Sequence, residues 1–278
     1  MLACGGHRRH HHAHAEPGQG CQARMWVYAG DQDHPCNVFD FTMDRGRAGP
    51  KLFLKDYNQV LLADGYAGYN GVVAGNAITR AGCWAHMKRK LVEAEKAAPE
   101  IAQEAVERVC ALYAVERQAK ASSAEQRRQL RGEKSVPLRA ELHDRLPGWK
   151  QQLLPKHPMA EAINYARGQW QQQSVFLTDG AVPIDNNVSE REMKRVLLNR
   201  KNSLFAGNPR GGRTAAILSS LTSTCRRHDI DPQLYFTQLL INLPALPIRQ
   251  LPEWLPDNWK VRHKKSLEKL RNPILQPA

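Results

Sequence analysis

Several kinds of segment are missing from this sequence, and each absence excludes a class of protein. It has no run of about 18 apolar residues, which excludes a conventional membrane-spanning helix. Residues 1–22 have no apolar core of the kind that a secretory signal peptide needs, so we expect a cytoplasmic protein. The six cysteines form no C-x-x-C pair and show no framework spacing, which argues against disulfide scaffolds and zinc ribbons.

Acidic residues are scarce relative to basic ones. Lys and Arg total 40 against 27 Asp and Glu, a formal net charge of +13, and this excess predicts a polyanionic partner, nucleic acid first. The excess is local, because residues 186–213 hold seven basic and two acidic groups whereas residues 25–86 hold five and six. In residues 186–213 the cations alternate with Asn, Gly and Ser, as on a surface that contacts phosphates.

Aliphatic residues are nearly absent from residues 1–24, which contain one Leu and no Val, Ile or Phe but five His. Neither a buried strand nor an amphipathic helix can be expected from this composition. We therefore predict a disordered, His-rich tail.

The following residues have β-strand texture. The runs MWVYAG and NVFDFT flank the turn-forming DQDHPC, which predicts a β-hairpin. The run QVLLAD predicts a third strand that ends at Asp64, and GPKLFLKDY between them predicts a short helix.

Helical patterns dominate the rest. Apolar residues recur at helical spacing from Met87 to about Leu130, and a less ordered stretch with three prolines follows. Another helix begins near Pro158, SVFLTDGAVPIDNN predicts a short strand or turn, and a helix starts close to Asn187. TAAILSSLTSTCRR and a segment capped by Asp231 predict two further helices, before an extended, proline-rich end.

Two acidic residues stand where a metal-dependent site would need them. Asp64 ends a strand beside glycines, and Glu190 lies at the start of a later helix. Mg²⁺ prefers one or two carboxylates together with water and phosphate oxygens, and a pair of such ions can clamp a phosphodiester during in-line displacement. Asp64 could equally end a strand in a turn, and Glu190 follows Asn187 at the spacing of a capping box.

Four sequence segments, found in a fixed order along the chain, point to a family more specifically than the two acids do. LLADGYAGYN, AGCWAHMKRKL, PIDNNVSERE and NRKNSLFAGNPRGGRTAAILSSLTSTCRRHDIDPQLY resemble the transposases of the insertion-sequence 66 family, with a helical insertion between the second and third. The resemblance covers the chain from about Met25 to its C-terminus. It implies a DDE-type enzyme with an α/β, ribonuclease-H-like mixed-sheet core, in which Asp64 matches the second catalytic acid and Glu190 the third.

The resemblance also implies the chemistry and partners. The family cleaves and joins DNA strands by 3′-OH attack with Mg²⁺ (or Mn²⁺), which Asp64 and Glu190 would bind. The expected partners are double-stranded ends of a mobile element, further copies of the chain on that DNA, and accessory proteins of the element. We accordingly expect the chain at the bacterial nucleoid.

The string CWAH resembles the C-x-x-H motif that follows the second Asp in several DDE groups. A zinc site built on Cys83 and His86 would need two further ligands, and none has convincing spacing. A structural role for His86 near the active site, or packing of Cys83 and Trp84, is the favoured interpretation.

Six basic residues follow Glu190 closely and surround GNPRGG. We predict that they position DNA through its phosphates, with the glycines letting backbone N–H groups approach; alternatively, some of the arginines pair with acids of residues 87–150. These residues are Lys194, Arg195, Arg200, Lys201, Arg210 and Arg213.

The first catalytic acid of the family has no counterpart. It should lie on a central strand just before the hairpin, in a motif of the type H-A-D-[DE]-T-x-[VP], but residues 1–24 contain one acid, Glu16. Asp31 and Asp33 fall in the hairpin turn, and Asp40 is the next acid along the chain. We therefore expect an N-terminally truncated transposase with impaired catalysis, or alternatively an inactive DNA-binding remnant, and we interpret residues 1–24 as sequence from a shifted reading frame.

The sequence thus predicts five segments. They are a non-family tail (1–24), the first part of the core (25–86), a helical insertion (87–157), the rest of the core with the basic cluster (158–213), and a helical, proline-rich C-terminal element (214–278).

Overall fold

The computed structural model of the chain describes residues 2–5, 10–13, 20–43, 46, 48–202 and 207–271. These residues form an α/β protein, as predicted. Its strands are β1 (Leu2–Gly5), β2 (His10–Ala13), β3 (Gly20–Ala29), β4 (Asn37–Thr42), β5 (Val60–Ala63) and β6 (Thr79–Gly82). Its helices are α1 (Ala48–Phe53), α2 (Asn70–Val73), α3 (Trp84–Glu93), α4 (Pro99–Gln118), α5 (Ala124–Leu130), α6 (Val136–Gln151), α7 (Pro158–Gly168), α8 (Asn187–Asn202), α9 (Pro209–Arg227), α10 (Pro232–Asn242) and α11 (Pro256–Arg271).

The chain divides into two compact units that interleave in sequence. The first unit comprises Met1–Gly5 and Gly46–Arg191, and the second comprises Gly6–Arg45 and Glu192–Ala278. The predicted core segments 25–86 and 158–213 are therefore each shared between both units, and the predicted insertion 87–157 belongs wholly to the first. Helix α8 begins in the first unit and ends in the second.

Parallel strands form the sheet of the first unit. Strand β1 pairs with β5, where Leu2 lies opposite Leu62, and β5 pairs with β6 from Val60↔Thr79 to Ala63↔Gly82. Leu61, Leu62 and Ala63 are almost completely buried, as short apolar strands of a parallel sheet usually are. Strand β6 was not predicted, because its sequence TRAG has no β-branched or aromatic run.

The helical insertion packs through the apolar stripe that its spacing predicted. Ala105, Val109 and Leu112 on α4 are fully buried, as are Leu142 and Leu146 on α6.

One buried arginine ties the insertion to the segment after α7. Arg131, fully buried, forms a two-pronged ion pair with Glu116 at 2.7 and 2.8 Å and donates to the carbonyl oxygens of Phe176 and Asp179. It starts a single π-helical stretch, Arg131–Ser135, which continues directly into α6. Such a fully partnered guanidinium fixes the insertion to its own unit.

The second unit contains the predicted hairpin. Strands β3 and β4 pair antiparallel, with Met25 opposite Phe41, and a turn closed by the Gly30 N–H to Cys36 carbonyl bond joins them. Hydroxyl groups of α9 cover the outer edge of β4. The backbone N–H of Asn37 donates to Thr224 Oγ1 at 3.0 Å and that of Phe39 to Ser220 Oγ at 2.7 Å, so this strand edge offers little for pairing with another chain.

The C-terminal helices of the second unit share a small core of their own. It contains Cys225, Ile230, Tyr235, Leu239, Trp254 and Trp259. Asp231 caps α10 as predicted, since its carboxylate accepts a hydrogen bond from the Gln233 N–H at 2.8 Å.

The prediction for residues 1–24 is wrong where the structure describes them. Strands β1, β2 and the start of β3 all lie there, and β2 pairs antiparallel with β3 from His10↔Ala23 to Ala13↔Gly20. Strand pairing uses backbone groups, so a sequence poor in aliphatic residues can still form a ladder. Glu16 lies outside the described residues.

Two other expectations need correction, and a third is confirmed in one of its forms. Residues 136–151 form a helix, with Pro137 in its first turn, where proline fits, and Pro147 in its interior. Of the strand or turn predicted for SVFLTDGAVPIDNN, the turn is confirmed, since residues 172–177 form a 3₁₀ helix and turns follow. The proline-rich end contains short 3₁₀ turns and then helix α11, which Pro256 begins. No helix in the described part of the chain is both long and apolar enough to cross a membrane.

Candidate active site

Two parallel strands of the first unit end side by side. Because Ala63 lies opposite Gly82, the next residues, Asp64 and Cys83, leave the sheet at the same edge. Ligand-binding side chains are commonly found at the carboxyl ends of parallel strands. The structure thus places the predicted second acid and the CWAH motif together.

Asp64 is only 8% exposed and is held through its own backbone. Its carboxylate accepts a hydrogen bond from the Tyr66 N–H at 3.2 Å, and its carbonyl oxygen accepts one from Arg80 Nη2 at 2.8 Å. Arg80 also donates to the side chains of Asn70 and Gln169. Burial lowers the pKa of Arg80, and the nearby Asp64 partly offsets this. Arg80, which the sequence analysis did not identify, therefore fixes the end of β5.

The glycine after Asp64 leaves room for an aromatic ring. A Cβ at Gly65 would lie 2.7 Å from Tyr165 Cε2, so only glycine lets α7 approach this closely. Burial, with contributions from Cys83 and Asp64, raises the pKa of Tyr165 to about 12. Tyr165 thus remains a neutral phenol between the two strand ends.

The CWAH motif begins helix α3. Cys83 stands at the N-cap, and Trp84, fully buried, donates from Nε1 to the carbonyl oxygen of Gln173 at 2.8 Å. Burial raises the pKa of the Cys83 thiol to about 11, against hydrogen bonds from backbone N–H groups including that of Asn186. The described residues contain no cluster of three or more His, Cys, Asp or Glu that could hold a metal.

His86 and Glu190 meet one turn into their helices. His86 Nε2 lies 3.8 Å from Glu190 Oε1, and the two side chains are 19% and 24% exposed. His86 Nδ1 is buried, and no hydrogen-bond partner for it lies within the described part of the chain. The C-x-x-H spacing therefore brings the histidine, rather than the thiol, to the predicted third acid.

Buried polar side chains without hydrogen bonds surround the start of α8. Asn186 and Ser189 are completely buried, and neither the amide of Asn186 nor the hydroxyl of Ser189 has a partner among the described residues. Orphaned buried polar groups are rare in proteins and are destabilising unless a ligand or water satisfies them. A water or a polar ligand is therefore needed to satisfy the side chains of Asn186 and Ser189, which lie close to Glu190 in sequence.

Asp185 is an acidic residue at the site that the sequence analysis overlooked. Its carboxylate accepts hydrogen bonds from the Asn187 N–H at 3.1 Å, from Asn187 Nδ2 at 2.7 Å and from the Tyr113 hydroxyl at 2.8 Å. Burial, together with Asp185, raises the pKa of Tyr113, which keeps its hydroxyl protonated. Its position in PIDNN, just before the start of the helix, was a signal for such a cap.

Asp64 and Glu190 together provide carboxylate oxygens, the donors that hard divalent cations prefer. Asp64 directly follows β5, and Glu190 lies in the first turn of α8 beside His86. Mg²⁺ and Mn²⁺ take carboxylates of this kind together with water or phosphate oxygens.

The predicted basic cluster is spread over two helices of the second unit. Lys194 and Arg195 lie on α8 and Arg210 and Arg213 on α9, all exposed. Arg195 forms an ion pair at 2.5 Å with Glu192, an acid of its own helix and not one of residues 87–150. Lys194, Arg210 and Arg213 form no ion pair within the described part of the chain. The side chains of Arg200 and Lys201 lie outside it.

The glycines of GNPRGG have structural tasks. A methyl group at Gly212 would overlap the ring of Phe41, so this glycine lets α9 pack against β4. The N–H of Gly211 is bonded to the side chain of Asn208, the N-cap of α9, at 2.8 Å. The predicted use of these two glycines for phosphate approach is therefore not supported.

In the second unit, Glu192 lies in a hydrogen-bonded network of its own. It is 6% exposed, and besides Arg195 it accepts a hydrogen bond from the Ser223 hydroxyl at 2.5 Å. Ser223 in turn accepts from Asn37 Nδ2 at 2.6 Å, and Asn37 Oδ1 accepts from Arg227 at 2.9 Å. The sequence analysis did not identify this network.

The geometry defines an α/β protein with a carboxylate, Asp64, at the carboxyl ends of parallel strands and a histidine–glutamate pair on the helices that follow. The sequence model described as "Transposase IS66 family" matches residues 10–214. This chain therefore belongs to that family of transposases. The match also includes residues 10–24, which we had predicted to lie outside the family.

Several curated relatives come from Sinorhizobium fredii. The chain is 35% identical over 260 residues to the uncharacterized protein y4hP, covering 85% of this chain and 47% of that protein. It is 34% identical over 236 residues to y4jD (81% and 46%) and 31% identical over 261 residues to y4qI (86% and 48%), both also uncharacterized. The chain spans about half the length of these relatives. No solved structure matches it significantly.

Proposed function

We propose that this chain is a DDE-type transposase polypeptide that binds the double-stranded ends of a mobile element and holds two of the three catalytic carboxylates, Asp64 and Glu190. The observation that carries the proposal is the meeting of the β5 and β6 ends with the start of α8, where His86 lies 3.8 Å from Glu190. A structural capping role for Glu190 alone would not need a histidine beside it, nor an unbonded amide (Asn186) and hydroxyl (Ser189) nearby.

The pairing of the strands supports a ribonuclease-H-like core. The first unit contains three parallel strands and the second an antiparallel hairpin, the two kinds of pairing that a mixed sheet combines. The position of Asp64 directly after β5, and of Glu190 in the first turn of α8, agrees with the roles that the family assigns to the second and third acids.

Each residue of the site has a distinct task in the proposed reaction. Asp64 and Glu190 would hold Mg²⁺ or Mn²⁺, which would supply electrostatic stabilisation to the reacting phosphodiester. Arg80 fixes the backbone of Asp64, and His86 restrains the carboxylate of Glu190. The 3′-OH of one strand attacks the phosphorus of the other, and the 3′ oxygen of the cleaved bond leaves.

DNA contacts come from the second unit in this proposal. Lys194, Arg210 and Arg213 are exposed cations suited to phosphate contacts, and Arg200 and Lys201 add charge in the same sequence window. Arg195 contributes less, because Glu192 already neutralises it. Further copies of the chain and accessory proteins of the element complete the assembly.

A second candidate function is DNA binding without cleavage. One observation favours it: Glu16 is the only acid in residues 1–30, so the strands described there carry no counterpart of the first catalytic Asp. Loss of one carboxylate removes much of the binding of one metal ion in a two-metal site.

Cleavage and binding of duplexes that cover the ends of the encoding element test both functions. An active enzyme cleaves with Mg²⁺ or Mn²⁺, and Glu190→Gln abolishes cleavage while leaving DNA affinity intact. A remnant binds but cleaves at no Mg²⁺ concentration, and adding an Asp-bearing strand restores cleavage. Failure to bind duplex DNA at low salt would overturn both.

Salt dependence identifies the DNA-binding surface. Because each phosphate contact releases about one counterion, Arg210→Ala and Arg213→Ala should each reduce the slope of log affinity against log salt by about 1. Arg117→Ala, which removes a cation from the insertion, is the matched control and should leave the slope unchanged.

A further inference from the structure

The helical insertion reaches the start of the helix that carries Glu190. Tyr113 lies on α4, and its hydroxyl donates to Asp185 Oδ2 at 2.8 Å. Asp185 precedes α8 and accepts from both the backbone N–H and the side-chain amide of Asn187, the first residue of α8. One carboxylate thus connects the insertion to the first turn of α8.

A second contact holds the same segment from helix α3. The backbone N–H of Trp84 donates to the carbonyl oxygen of Ile184 at 3.2 Å. The residues just before α8 are therefore held by α4 through Tyr113 and by the CWAH motif through Trp84. Since Glu190 lies three residues after Asn187, the direction of its side chain depends on how this turn is set.

The bond to Tyr113 does more than cap the helix. The bonds from Asn187 engage both oxygens of Asp185 but come from the turn itself. The Tyr113 hydroxyl adds a bond to Oδ2 from a different helix, and charge-assisted hydrogen bonds of this kind are among the stronger ones in proteins.

We propose that Tyr113 is a positioning residue for Glu190, so that the helical insertion sets the geometry of the candidate site through Asp185. The proposal deepens the proposed function and rests on it for the role of Glu190. It predicts that the insertion is required for metal binding although it contributes no ligand.

The test is Tyr113→Phe, which removes only the hydroxyl group. Backbone amide hydrogen exchange of residues 187–191 should become about tenfold faster, while exchange within α4 stays unchanged. The Kd for Mn²⁺, measured by calorimetry, should rise by about threefold to tenfold. Asp185→Asn should have the same effects, and the double variant should be no worse than either single one, because both act through one bond.

Tyr235→Phe is the matched control. Its hydroxyl donates to the carbonyl oxygen of Trp254 at 2.8 Å in the second unit, so it loses a bond of equal length away from the site. It should change neither the Mn²⁺ affinity nor the exchange of residues 187–191.

Two results would overturn the proposal. One is unchanged exchange at residues 187–191 in Tyr113→Phe, and the other is an equal increase throughout α4, which would indicate a purely structural bond. If the unaltered chain binds no Mn²⁺, the metal site of the proposed function fails, and the exchange measurement still decides the role of Tyr113.

Discussion

Two glutamates, two residues apart on one helix, are placed in opposite environments. Glu190 is a quarter exposed, and around it Asn186, Ser189 and His86 Nδ1 are buried without hydrogen-bond partners in the described structure. Glu192 is buried in a network in which every neighbouring polar side chain named above is bonded. The difference teaches that the under-bonded cluster is the one suited to a ligand, whereas the complete one stabilises the fold.

The largest expected difference concerns stability. Glu192→Ala should lower the free energy of unfolding by about 3 kcal/mol, because it leaves a cavity and the buried hydroxyl of Ser223 without its acceptor. Glu190→Ala should change it by less than about 0.5 kcal/mol, as expected for a partly exposed side chain. Urea denaturation of both variants measures this, and equal losses would remove the distinction.

The two buried asparagines sharpen the comparison. The side-chain amide of Asn37 is bonded to Ser223 and Arg227, so Asn37→Leu should cost about 2 kcal/mol. The amide of Asn186 has no partner among the described residues, so Asn186→Leu should be neutral or stabilising by up to about 1 kcal/mol. A large loss for Asn186→Leu in thermal unfolding would show that the amide is satisfied in solution.

Alkaline pH should reveal the buried thiol of the candidate site. The pKa of Cys83 is raised from 9.0 to about 11, so the unfolded chain releases this proton first and stability falls as pH rises through that interval. Between pH 9 and pH 10 the loss should be about 1 kcal/mol. Over the same interval, the free energy of unfolding of Cys83→Ala should fall by about 1 kcal/mol less than that of the unaltered chain. Cys36→Ala removes an exposed thiol and should show the same fall as the unaltered chain. Equal pH profiles for the unaltered chain and Cys83→Ala would contradict the burial argument.

Much of the fold could be predicted from periodicity and turn chemistry. The hairpin, the strand ending at Asp64, the long helices and the Asp231 cap all follow from local patterns and are confirmed. Strands β1, β2 and β6 could not be predicted, because their sequences are poor in strand-forming residues. Strands β1 and β6 in addition pair across 60 and 19 positions of sequence.

The candidate site was predictable only in part. Motif order pointed to Asp64, Glu190 and the CWAH residues, and their roles stay predictions. Arg80 and Tyr113 could not be found, since their importance lies in contacts across 16 and 72 positions of sequence. Nor could the sequence predict that Glu190 is partly exposed and Glu192 buried. Residues two apart on a helix point to different sides, and only the packing of the helix decides which side is buried.

The affinity for Mn²⁺ of the unaltered chain, Glu190→Gln and Glu192→Gln tests the central claim most directly. Our account predicts that Glu190→Gln weakens binding by about tenfold or more at unchanged melting temperature, since it removes a ligand oxygen charge. It predicts that Glu192→Gln lowers the melting temperature and leaves the Kd unchanged. Equal Mn²⁺ affinity for the unaltered chain and Glu190→Gln, or a selective loss in Glu192→Gln, would contradict it.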